Sequence, residues 1–148
     1  MEIIGYHYSS EELNIGDTII SEQHLGRMFP LVHGIFKEVN PNLFDQWGYA
    51  YPERKHEEGE KKWRHCYLVK APSDKVIRGD LNNSVYAWMT GCQTDRSLPL
   101  KERLEKRDTI LKNAAQLYFN PLDESLVRKY PTIIELISDS FVIVEKLY

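Results

Sequence analysis

Ile3, Ile4, Tyr6 and Tyr8 crowd the start of the chain with β-branched and aromatic residues, which predicts a strand over Ile3 to Tyr8. Ser9-Ser10-Glu11-Glu12 ends it, and Gly16-Asp17 marks a second turn. Leu25, Met28, Phe29, Val32, Phe36 and Val39 then recur at helical spacing, with Ser21 placed to cap the N-terminus and Pro30 predicting a kink or two short helices. Asn40-Pro41-Asn42 closes this segment. Phe44 to Tyr51, interrupted by Gly48, predicts a short strand, and the charged run from Pro52 to Lys62 reads as an exposed loop.

Trp63 to Ala71 alternates as a strand does and stops at Pro72-Ser73-Asp74, after which Val76-Ile77 leads into Gly79-Asp80-Leu81-Asn82-Asn83. Val85, Tyr86, Trp88 and Met89, within Ser84 to Thr94, are read as a short helix. The clearest helical rhythm is Leu100, Leu104, Leu111, Ala114, Ala115 and Tyr118, opened by Ser97 and Pro99 and closed by Asn120-Pro121. Two β-rich runs finish the chain, Thr132 to Ile137 and Ser140 to Tyr148. The Ser138-Asp139 link between them predicts a tight antiparallel hairpin. Strand, helix, strands, helix and strand pair, in that order, predict an α+β fold with a mostly antiparallel sheet and flanking helices.

A length of 148 residues is read as a single domain, 1–148, large enough to bury a core without a staple. Cys66 and Cys92 stand far apart with no metal-ligand spacing, so no disulfide framework or zinc site is expected and a reducing, cytoplasmic setting is. No run approaches the roughly 18 apolar residues that a bilayer span requires, and no apolar export core follows Met1; no membrane association is expected. The formal net charge of −3 excludes a uniformly basic surface that grips any polyanion.

Candidate chemistry starts at the first strand. Tyr6-His7-Tyr8-Ser9 sets one imidazole beside hydroxyls at a strand end, an arrangement that can hold a ribose. These residues, followed by Leu13-Asn14-Ile15-Gly16-Asp17, resemble the Tyr-His-Gly-Thr first strand and Leu-x-x-Gly-Asp turn of ADP-ribosyltransferases, particularly small bacterial and phage members similar to the rifampicin-modifying enzymes. Ile133 to Ile137 and Phe141 to Leu147 resemble the late strand pair of that superfamily, whose first strand carries the catalytic glutamate.

The resemblance implies a split, mostly antiparallel sheet and NAD as substrate. His7 would bond the ribose, with Tyr8 and Ser9 beside it near the nicotinamide amide. Tyr49 or Tyr51 would stack on nicotinamide, and Glu135 would support the reaction. The catalytic set implied is thus Glu135, His7 and Tyr51, and the NAD-contacting set His7, Tyr8, Ser9, Tyr49 and Tyr51. A fixed carboxylate next to the sugar suits this chemistry, because cleavage of the nicotinamide–ribose bond passes through an oxocarbenium-like state. Two departures stand out: Tyr8 occupies a position where glycine is frequent, and Ile133 one where a glutamate or glutamine often accompanies modification of arginine.

Each assignment has a structural rival. A strand-end histidine can simply be hydrogen-bonded, Glu135 can face solvent at a sheet edge, and one core-facing side of the strand accounts for Tyr49 and Tyr51 together. Glu145, next to Lys146, is the weaker acid. Arg54-Lys55-His56 and Lys61-Lys62-Trp63-Arg64-His65 mix cations with an aromatic, but Glu57, Glu58 and Glu60 cancel much of the field, so the segment reads as a solvated loop or a chooser of acceptor. His24, His33 and His65 show no metal spacing. The expected activity is ADP-ribose transfer to a protein or nucleic acid, in a toxin or a phage-host conflict, with an antitoxin-like protein as partner. The alternatives are a non-catalytic interaction module on the same scaffold and an enzyme resembling RNA 2′-phosphotransferases.

Overall fold

The computed structural model describes residues 1–20, 29–54, 63–80, 97–119 and 134–148. Along these the chain forms β1 (Glu2–Ser9), α1 (Phe29–Val39), β2 (Gly48–Ala50), β3 (His65–Pro72), a 3-10 turn (Ser73–Lys75), β4 (Ile77–Asp80), α2 (Leu100–Phe119), β5 (Ile134–Ser138) and β6 (Val142–Lys146). The class is α+β, with two antiparallel three-stranded sheets ordered β1-β3-β6 and β2-β5-β4. The chain divides into two compact units: Met1–Glu22, Phe44–Arg78 and Ile134–Tyr148 in one, Gln23–Leu43 and Gly79–Ile133 in the other.

In the first unit β1 and β3 pair without a slip from Glu2 opposite Pro72 to Ser9 opposite His65, and β6 adds to the other edge of β3. Ile19, Ala50, Tyr67, Val69, Ala71, Leu136, Phe141 and Ile143 form the core, with Ile3, Leu13, Val76 and Ile134 packed against it. The Leu-x-Ile-Gly-Asp turn has a structural task in this unit. Gly16 takes φ +93, a conformation that favours glycine. From there the segment clips onto β6: Gly16 N–H donates to the Ile143 carbonyl at 2.8 Å, Ile143 N–H to Asp17 at 2.9 Å, and Ile19 N–H to Phe141 at 2.9 Å. Burying the Leu13 main chain leaves its N–H in need of an acceptor, and the Tyr67 hydroxyl supplies one at 2.7 Å.

The late strand pair is not the hairpin that its short link predicts. β5 lies between β2 and β4, while β6 pairs with β3 in the other sheet. Two-residue hairpin turns need residues at positive φ, and among the described residues Gly16 alone has it. Asp139 and Ser140 instead turn in ordinary backbone conformations, Ser140 N–H donating to Ser138 Oγ at 3.0 Å, and carry the chain from one sheet to the other.

In the second unit α1 starts at Phe29, so Pro30 falls in its first turn, where a missing N–H costs little. Residues 21–28, where a kink or a second short helix before Pro30 would lie and where Ser21 stands, are outside the described residues. Asn40 ends the helix, its side-chain carbonyl accepting from Asn42 N–H at 3.1 Å. The Phe36 ring meets Tyr118 and Phe119 of α2 at 5.9 and 5.8 Å, and Lys112 pairs with Glu38 at 3.4 Å. The apolar rhythm of α2 is buried at Leu111, Ala114, Ala115 and Tyr118, but Leu100 and Leu104, expected on that face, are exposed. Gly79 lies directly against the Tyr118 ring and has no room for a Cβ. The helix expected over Ser84 to Thr94 lies outside the described residues.

Candidate functional site

Strands β1 and β2 are joined at one rung. Tyr6 and Tyr51 exchange N–H to carbonyl bonds of 2.9 Å in both directions, as an isolated bridge. In an antiparallel strand every second residue turns its polar main-chain groups toward the same neighbour, so Tyr49 aims its carbonyl at the β1 side, as Tyr51 does. The acceptor there is taken by a side chain: His7 Nδ1 lies 2.8 Å from the Tyr49 carbonyl oxygen. A carbonyl only accepts, so Nδ1 carries the proton and a neutral ring keeps Nε2 as an acceptor. Burial pushes the His7 pKa below its ordinary value, against the opposing pull of the Tyr49 carbonyl. The ring is 8% exposed and stands edge-on to the Tyr49 ring at 5.7 Å.

A second group forms one strand further on. β2 pairs with β5 in the register Gly48 to Ser138, Tyr49 to Ile137 and Ala50 to Leu136, and Tyr51 and Glu135 are the residues next along from the last of these pairs. Their electrostatics agree with that register. The Tyr51 phenol is held above its ordinary pKa, first by burial and then by the negative charge of Glu135. The Tyr8 ring packs on Tyr51 at 6.1 Å and is itself buried.

Three far-apart pieces of sequence therefore meet in the first unit, as two groups: His7 with Tyr49, and Tyr8 with Tyr51 and Glu135. Side chains alternate along a strand, so Gly5 and His7 leave β1 on the side of Ala50 and Leu136, and Tyr6 and Tyr8 on the side of Tyr51 and Glu135. The imidazole and the carboxylate thus start from opposite faces, with the His7 ring at the split and tied to the Tyr49 main chain. The core side of β2 is Gly48 and Ala50, which corrects the reading of Tyr49 and Tyr51 as core residues; both tyrosines are half-buried. Glu135 is half-buried and Glu145 exposed.

Ser9 stays at the strand end, where its hydroxyl accepts from Glu11 N–H at 3.0 Å. Of the basic segment, Arg54 stacks over the Tyr148 ring at 5.8 Å and Arg64 is exposed, while 55–62 lie outside the described residues. Among the described residues no cluster of His, Cys, Asp and Glu is arranged to hold a metal ion, and no helix is long and apolar enough to cross a membrane.

Sequence reasoning missed the Tyr49 carbonyl as the partner of His7, and Gly5 as the residue that lets the strands approach. A Cβ on Gly5 would stand 2.8 Å from Ala50 Cβ and 3.3 Å from the Tyr51 carbonyl. The signal was available, because a glycine inside a strand often marks close approach of another backbone. No family model matches the chain, and no curated protein matches it.

Proposed function

We propose that the protein cleaves NAD at the nicotinamide–ribose bond and transfers ADP-ribose to a protein or nucleic acid. The observation that carries this reading is that β1, β2 and β5 bring two groups, His7 with Tyr49 and Tyr51 with Glu135, to the one-rung junction of two antiparallel sheets. A split antiparallel sheet is also what the resemblance to ADP-ribosyltransferases implies.

On this reading the C–N bond breaks with its electron pair leaving on nicotinamide, and positive charge develops on the ribose. Glu135, whose charge already reaches Tyr51, stabilises that charge electrostatically. An acceptor oxygen or nitrogen then bonds to the anomeric carbon and releases its proton to solvent. Incubation with labelled NAD and cell extract tests the reading. The wild type is expected to transfer label and Glu135→Gln to lose it by about two orders of magnitude or more; equal labelling by both, or none by either, overturns it.

A second reading, a non-catalytic interaction module on the same scaffold, is favoured by two observations: Tyr8 packs on Tyr51 where the resemblance has a glycine, and His7 and Glu135 leave opposite strand faces. Calorimetry with NAD separates the two, since a module that has lost the chemistry gives no heat at millimolar cofactor.

A further inference from the structure

We infer that the edge of β1 past the Tyr6–Tyr51 rung docks an extended polypeptide by strand addition, so that the acceptor is a protein. The docking stands on the edge alone; that the docked segment is the ADP-ribose acceptor rests on the proposed function. Main-chain groups alternate in direction along a strand, and Tyr6 turns its N–H and carbonyl away from β3, toward Tyr51. Met1, of the opposite parity, gives its carbonyl to Ser73 N–H on the β3 side at 3.0 Å. Glu2 and Ile4 therefore aim their main-chain groups to the same side as Tyr6, and among the described residues these groups have no hydrogen-bond partner there.

The chain that could fill this line turns off it. Pro52 and Glu53 bend, and Arg54 reaches the ring of Tyr148, whose main chain is bonded to Cys66, opposite Tyr8 toward the other end of the β1–β3 ladder. Ile4 is 56% exposed and Met1 wholly so, which leaves the line open to solvent. Such an edge selects its ligand by main-chain pattern. The N–H and carbonyl pairs of Glu2 and Ile4, about 7 Å apart along the strand, match another extended polypeptide. A nucleic acid brings phosphates that need cations and has no such alternation of donors and acceptors. Leu68, Lys70 and Pro72 stand opposite Tyr6, Ile4 and Glu2, and Lys70, the cation among them, is already paired with Glu2 at 3.6 Å. A segment laid here takes the line that β2 leaves at Tyr51, and every second side chain of it falls on the sheet face of Tyr51 and Glu135.

The test is amide hydrogen exchange and NMR on the full chain. Without additives the Ile4 amide is expected to exchange at least about tenfold faster than those of Ile3 and Tyr6. The probe is an eight-residue peptide of alternating threonine and valine with a lysine at each end, expected to slow Ile4 and to shift the amides of Glu2 and Ile4. The same peptide with its amide nitrogens methylated, and a single-stranded oligonucleotide, are expected to do neither. Equal protection of Ile4 and Tyr6, no response to the peptide, a response to the oligonucleotide instead, or a dimer in solution that protects Ile4 overturns the inference. Ile4→Pro deletes the outward N–H, and is expected to lose the peptide response yet to melt above Ile3→Pro, which breaks a bond to β3; the reverse order also overturns it. With labelled NAD and cell extract, Ile4→Pro is expected to label protein at least about tenfold less while releasing nicotinamide as the wild type does. Unchanged labelling, or label on nucleic acid, overturns the protein acceptor. Peptide docking by a wild type that transfers no label upholds the edge and removes the NAD reading, so the two failures are told apart.

Discussion

Tyr6 and Tyr51 share a single two-bond rung, and through it β1 meets β2 with almost no space between the strands. Gly5 is what allows this approach. Adding a methyl group there presses on Ala50 Cβ at 2.8 Å and on a backbone oxygen of Tyr51 that cannot rotate away. Gly5→Ala is expected to lower stability by about 1–3 kcal/mol in urea unfolding. Gly34→Ala serves as the contrast, since nothing lies within 4 Å of the added carbon in α1 and helix propensity favours alanine. That change is expected to be neutral or to stabilise by up to about 1 kcal/mol. Equal effects from the two would mean that the strands are not in close contact at the junction.

The clip formed by residues 13–19 depends on a phenol. Tyr67 is fully buried, and its hydroxyl receives the Leu13 N–H at 2.7 Å. Tyr67→Phe keeps the ring and removes the acceptor, at an expected cost of about 0.5–1.5 kcal/mol. Hydrogen exchange at the Leu13 amide reads the same loss locally. It should speed up well beyond the change at Ile19, whose amide keeps the Phe141 carbonyl as its acceptor; uniform acceleration would point to global destabilisation instead.

Local chemistry and periodicity account for most of what the sequence made legible. Ile3 to Tyr8 reads as a strand because its β-branched and aromatic residues have no helical rhythm, and Leu111 to Tyr118 reads as a buried helix face because they do. The hairpin that the short Ser138-Asp139 link predicts does not form, for a reason of the same kind as its appeal. A short polar link says that two strands are near in sequence, whereas partner choice is settled by which edges are vacant, and β5 has β2 and β4 on its own. At the site, residue types were legible and their grouping was not. His7 and Glu135 can be picked out one at a time, but the bond from His7 to a main-chain carbonyl has no sequence signature, since every residue carries such a carbonyl. The exposure of Leu100 and Leu104 is equally invisible to periodicity, which reports an apolar face and not how far it is covered.

Buried and neutral, His7 couples stability to pH. Its native pKa lies below the ordinary value of about 6.5 that the unfolded chain regains, so the unfolded state takes up a proton first as pH falls. The contribution is complete above about pH 6.5 and is lost as pH falls from there through the native value. Melting temperatures between pH 8 and 5 should therefore fall more steeply for the wild type than for His7→Asn, which has no proton to gain. Parallel slopes would show that the imidazole is not held neutral by the fold.

Tyr51 gives the opposite sign at the alkaline end. Its raised phenol pKa means that the folded chain keeps a proton which the unfolded chain gives up near pH 10, so this contribution holds below pH 10 and is lost as pH rises through the native value. Burial is the larger cause and the Glu135 charge the smaller, which makes the two separable. In a chain labelled at the tyrosine Cζ carbons, the resonance missing from Tyr51→Phe identifies Tyr51 among the nine tyrosines. Glu135→Gln should then move its titration toward lower pH while leaving it above 10, because the charge goes and the burial stays. A titration untouched by Glu135→Gln would separate carboxylate from phenol and dissolve the group on which the proposed chemistry depends; one that drops fully to its ordinary value would reverse the order of the two causes.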